Sequence, residues 1–143
     1  MKKFIAPAIA LLLVAAIAGI SQTQPAKKAH HIVFAMNSPE ADWSQVFGNL
    51  GNIRTAFAGD DVEIEVVCYG KGTELLHNTN AAWKERIEKA IAAGTVFSAC
   101  RNSMRLRKLE EKDMFTFSKF VDSGTAQVVR RQEQGFALLK SGE

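Results

Sequence analysis

Apolar residues along this chain come in two kinds of block. Some are short and continuous, as in His31-Ile32-Val33-Phe34-Ala35-Met36. Others recur at steps of three and four, as in Trp43, Val46, Phe47, Leu50, Ile53 and Phe57. The first kind predicts buried strands and the second predicts helices with one apolar face. A strand over 31–36 is followed by a helix from about Glu40 to Ala58, with Ser38 as its N-cap and Pro39 at its first position. Gly48 and Gly51 lie inside that helix and weaken it by roughly 1 kcal/mol each against Ala, a loss that close packing against a sheet would offset.

The same reading carries on to the end of the chain. Val62–Tyr69 predicts a second strand, and its early alternation of Val62, Ile64 and Val66 with Glu63 and Glu65 predicts one solvated face at its start. Gly70-Lys71-Gly72 reads as a turn and Thr73–Leu76 as a single helical turn. Asn78-Thr79-Asn80 reads as the cap of a helix over about Ala81–Ala93, with Trp83, Ile87, Ala90 and Ile91 inward. Gly94 closes it, and Thr95–Ala99 predicts a third strand. A short helix over about Ser103–Leu109 follows, then a polar turn at Glu110–Asp113 and a fourth strand over Phe117–Val121. Ser123 caps a last helix over about Gly124–Gln134, which Gly135 ends. Phe136–Leu139 fits either a fifth strand or a helical tail. Strict alternation of strand and helix argues a parallel α/β sheet covered on both faces, a three-layer α/β/α domain. Sites in such sheets lie at the carboxyl ends of the strands, which gathers the loops Asn37–Asp42, Gly70–Asn80 and Cys100–Arg105.

The first residues follow another logic. Lys2-Lys3 precedes an uncharged run, Phe4–Ile20, and Ala16-Ile17-Ala18 offers the small residues that signal peptidase reads. Residues 1–18 are therefore expected to be a cleaved signal peptide, 19–29 a polar linker and 30–143 the domain. A periplasmic or secreted protein with no membrane association after cleavage is expected, and an uncleaved anchor is the rival. Without Lys2 and Lys3 the balance is 16 basic to 15 acidic residues, and no basic stripe with interleaved aromatics marks a nucleic-acid partner.

Export changes the meaning of the two cysteines, Cys68 and Cys100, since an oxidising compartment permits a disulfide. They lack CxxC spacing, and no metal or cofactor is expected. Cys100 stands where a strand hands over to a helix, with Asn102 or Ser103 as candidate cap and with Arg101, Arg105, Arg107 and Lys108 nearby. Backbone N–H groups, a helix dipole and positive charge all favour the thiolate, the reactive form. A small buried hydrophobe is the plain alternative. Cys68, inside an apolar run, is expected to be buried and inert. His77 is a candidate assisting base, with a solvated loop histidine as the other reading. His30-His31 opens the first strand away from the site and reads as an accidental pair, with a surface copper or zinc site second because only two ligands are evident. Arg130-Arg131 reads as a solvated helix face or part of a subunit contact.

Several stretches then resemble one family in order and spacing. They are Asn49-Leu50-Gly51-Asn52-Ile53-Arg54, Val62–Val67 running into Tyr69-Gly70-Lys71-Gly72, Ala99-Cys100-Arg101-Asn102-Ser103, and Arg130-Arg131-Gln132-Glu133-Gln134-Gly135. The chain from His31 onward resembles the DsrE/DsrF-like family of small α/β proteins linked to sulfur trafficking. The resemblance implies a five-stranded, mainly parallel sheet with the second and third strands adjacent. It also implies homo-oligomers, commonly trimers or hexamers. The best-studied members carry sulfur as a persulfide on a cysteine after the third strand, and that role falls on Cys100. A sulfur carrier or thiol-redox protein that binds sulfane sulfur as a persulfide on Cys100, with a binding surround of Arg101, Asn102, Ser103 and Arg105, is the first expectation. A non-catalytic oligomeric module, binding an anionic small molecule or a partner protein at the strand-end cleft, is the second.

Overall fold

The structure, a computed structural model, describes residues 26–141. The expected signal peptide and most of the linker lie outside the described residues. Five strands form a single sheet: β1 (Ala29–Met36), β2 (Asp61–Cys68), β3 (Thr95–Cys100), β4 (Lys119–Val121) and β5 (Ala137–Lys140). Their order is β4-β3-β2-β1-β5, and every pairing is parallel. The helices are α1 (Trp43–Ala56), α2 (Ala81–Ala92), α3 (Arg101–Leu106) and α4 (Gly124–Glu133). The expected α/β architecture and the adjacency of the second and third strands are both found. The open choice at the end of the chain resolves as a strand.

Alternation along the strands assigns each residue to a face. Ile32, Phe34, Met36, Ile64, Val66, Cys68, Phe97 and Ala99 share one core with Trp43, Val46 and Leu50 of α1 and Trp83 and Ile87 of α2. Trp43 and Trp83 meet edge to face at 5.4 Å. The opposite face carries Val33 and Val67 against Val128 of α4 and Phe136, with Tyr69 and Val121 at the margin.

Several local expectations are corrected. Ser38 does not cap a helix: a 3₁₀ turn, Glu40–Asp42, comes first, with Pro39 extended before it. The Ser38 hydroxyl instead donates to Ser141 Oγ at 2.9 Å, tying the loop after β1 to the end of β5. Asn80 stands at the cap position of α2, but its side chain bonds back to the Glu74 carbonyl. The helix after β3 begins at Arg101, with Cys100 itself at the cap position, so neither Asn102 nor Ser103 precedes it. Gly48 and Gly51 are not explained by close packing, since a Cβ on either would meet nothing within 4 Å. Glu65 is not on a solvated face; it is 2% exposed beneath α4. The reading of His30-His31 as an accidental pair stands: His30 bonds Asp60 at 3.1 Å and stacks on Phe57, while His31 bonds Glu63 at 3.0 Å. No helix among the described residues is long and apolar enough to cross a membrane.

Candidate functional site

At the carboxyl edge of the sheet the chain turns sharply three times, and hydrogen bonds stitch the turns together. Gly72 is required by close approach: a Cβ there would lie 2.2 Å from the Met36 carbonyl oxygen. The Lys71 amide donates to Asn37 Oδ1 at 3.1 Å, joining the loops after β1 and β2. The Gly70 amide donates to Ser103 Oγ at 2.8 Å, joining the loop after β2 to α3. Arg107, just past α3, donates from Nε to the Gly70 carbonyl at 3.0 Å and pairs with Glu74.

Cys100 ends β3 beside this junction. In register Cys68 lies opposite Ala99, so Cys100, one residue on, projects from the other face of the sheet. The two sulfurs are thus separated by the sheet, and both cysteines are free. Cys68 is sealed in the core, and burial pushes its thiol far above the ordinary range. Cys100 is only 3% exposed, and burial pushes its thiol up as well. Hydrogen bonds from the Ser103 hydroxyl, the Ser103 amide, the Gly124 amide and the Asn102 amide outweigh that and hold it below its ordinary value. The Gly124 amide reaches the sulfur at 3.1 Å. Because the Ser103 oxygen already accepts from Gly70, its proton is free to point at the sulfur.

Gly124 makes that approach possible. A Cβ at this position would lie 2.6 Å from Tyr69 Cβ and 3.2 Å from Cys100 Cβ. Sequence reading did not single out Gly124. A clue was present in its place directly after the Ser123 cap, where a side chain would ordinarily favour the helix.

The other expected site residues take different stations. Asn102 and Ser103 reach the sulfur through the bonds just described. Arg101 is drawn to Glu111, with its Nε at 2.9 Å, and to Asp122 at 3.5 Å, over the Phe120 ring. Arg105 bonds the Asn102 side chain. His77 bonds Thr79 Oγ1 at 2.6 Å through Nδ1. It lines a separate cleft of about 450 Å³ with Lys71, Glu74, Arg107, Glu40 and Trp43. The structure therefore gathers Cys100, Asn102, Ser103 and Gly124 at the sulfur, and gives His77 other partners.

The sequence profile of the DsrE/DsrF-like family matches residues 13–141. The chain belongs to this family. Among solved structures, a DsrE/DsrF-like fold is shared with a protein of unknown function from Methanobacterium thermoautotrophicum. The two are 26% identical, with a TM-score of 0.72 over 78% of this chain and 98% of that one. No curated protein matches. Membership of the DsrE/DsrF-like family suggests a sulfur-relay-related function.

Proposed function

We propose that the protein is an exported sulfur carrier that holds sulfane sulfur as a persulfide on Cys100. One observation carries the reading: the Gly124 amide meets this sulfur at 3.1 Å, and with Ser103 and Asn102 beside it the thiolate is favoured. The thiolate would attack the outer sulfur of a polysulfide or persulfide donor. A new S–S bond forms on Cys100, the donor's S–S bond breaks, and the donor departs as a thiolate one sulfur shorter with the electron pair. Arg101 is held by Glu111 and Asp122, so the N–H and O–H donors rather than a free cation carry the site. Export rests on Lys2-Lys3 and the apolar run behind it, and assembly into a homotrimer or homohexamer rests on the family.

The test is incubation of the purified protein with polysulfide, followed by mass spectrometry. One added sulfur is expected on the Cys100 peptide, none in Cys100→Ser, and an unchanged result in Cys68→Ser. A protein whose Cys100 stays unmodified overturns the carrier reading. The cleft at Lys71, His77 and Arg107 favours a second reading, a binding module for an anionic small molecule. Ligand binding that survives Cys100→Ser, in a chain that takes up no sulfur, would select it.

A further inference from the structure

The face of α4 that meets the sheet carries two features at helical spacing. At its start Gly124 lies over Cys100. One and two turns further on, Gln127 and Arg131 meet a buried acid on β2. That acid, Glu65, is 2% exposed, and among the described residues its carboxyl oxygens accept from Ser98, Gln127 and Arg131. Ser98 Oγ donates to Oε1 at 2.5 Å, and Gln127 Nε2 approaches Oε1 at 3.2 Å and Oε2 at 3.0 Å. Arg131 Nε donates to Oε2, and its guanidinium also lies 3.8 Å from Glu63 and over the Phe136 ring. Ser98 is on β3, two residues before Cys100 and on the same face.

We infer that Glu65 is a positioning residue: by holding β3 and α4 together it sets the Gly124 amide on the Cys100 sulfur. The inference rests on Cys100 being the working thiol. Apolar packing alone pins α4 weakly, because it is a short helix of which only Gly124 and Val128 are buried. A hydrogen-bonded acid admits one register, since its donors must meet fixed acceptors. The approach at Gly124 tolerates little sliding, with Tyr69 and Cys100 already in contact distance.

A carboxylate that acted only through its charge would have the opposite effect to one that positions α4. Removing a nearby negative charge eases ionisation of a thiol, whereas losing the Gly124 N–H contact hinders it. The experiment uses this difference in sign. In Glu65→Gln the charge is lost and one oxygen remains to accept from Ser98, Gln127 and Arg131, where the carboxylate offers two. The pH dependence of Cys100 alkylation is followed by peptide mass spectrometry, with circular dichroism and continued protection of Cys68 reporting the fold. The midpoint is expected to rise by about one pH unit, as for loss of one hydrogen bond to a charged group. Glu63→Gln, a neighbouring charge removed at the surface, is expected to leave the midpoint unchanged. A midpoint that falls or stays put in folded Glu65→Gln overturns the inference. If Glu65→Gln does not fold, Gln127→Met removes the bond from the helix side, keeps the Glu65–Arg131 pair and is judged by the same criterion. The alkylation readout needs no sulfur donor, so failure of the carrier reading shows in the polysulfide assay while this midpoint shift stands.

Discussion

At Cys100 burial and hydrogen bonding act on one sulfur in opposite directions, and hydrogen bonding prevails. At Cys68 burial acts without such opposition. The two thiols are therefore expected to differ sharply: near neutral pH an alkylating reagent modifies Cys100 and leaves Cys68 intact until the protein unfolds. Equal rates would contradict this. Ionisation of Cys100 also links stability to pH. A thiol held below its ordinary 9.0 in the folded state stabilises the fold above that value, and the stabilisation is lost as pH falls through the folded value. The gap in Tm between the natural protein and Cys100→Ser should then be wider at pH 9 than at pH 6, by calorimetry at both. Equal gaps would mean that the fold does not favour the thiolate. Cys68 pulls the other way at alkaline pH, but equally in both proteins, so it cancels. The place of Cys100 at a strand end was legible because Gly94, a β-branched run and a polar turn bracket it. The donors were only partly legible: Asn102 and Ser103 are its neighbours, whereas Gly124 is 24 residues on and arrives through the packing of α4.

Among the elements, α4 shows most clearly why local pattern has limits. Ser123 and Gly135 mark its ends in the sequence, and the structure places its limits within a residue of that reading. Arg131 nevertheless reads as a surface residue, because its partner Glu65 lies 66 positions earlier. Glu65 in turn reads as solvent-facing because it alternates with Ile64 and Val66. The contrary clue is that Val67 and Tyr69, on the same face, belong to a run that becomes wholly apolar. For α4 itself, Gly124→Ala is expected to force the helix N-terminus away from Tyr69 and lower stability by about 1–3 kcal/mol. It should also slow Cys100 alkylation at neutral pH, which denaturant titration and alkylation kinetics together would check. A stable Gly124→Ala protein with an unchanged rate would show that the close approach is not needed. The start of α1 was misplaced for a related reason. Ser38 has the chemistry of a cap, but the arrival of β5 beside β1 supplies its hydroxyl with Ser141.

On the scale of the whole molecule, the layers follow from alternation, whereas the strand order does not. No local feature tells β5 to settle beside β1, on the far side of the sheet from β4. Among the described residues the α4 face is covered by one ten-residue helix, and Val96, Val129 and Leu138 remain exposed. Light scattering on the chain without its first residues is expected to give a mass several times that of the monomer, and a clean monomer at micromolar concentration would count against assembly. N-terminal sequencing of protein from the cell envelope should begin after Ala18, whereas intact Met1 in membranes would indicate an anchor. The pairing of β5 with β1 also has a consequence for synthesis. Ile32–Ala35 leaves the ribosome early, yet the strand that covers its outer edge, Ala137–Lys140, is translated after the other four strands. Until β5 emerges the nascent chain carries an apolar strand with one open hydrogen-bonding edge, the kind of edge that recruits other chains. A protein shortened to end at Gly135 would keep that edge permanently, and is expected to collect in the insoluble fraction while the full chain stays in solution.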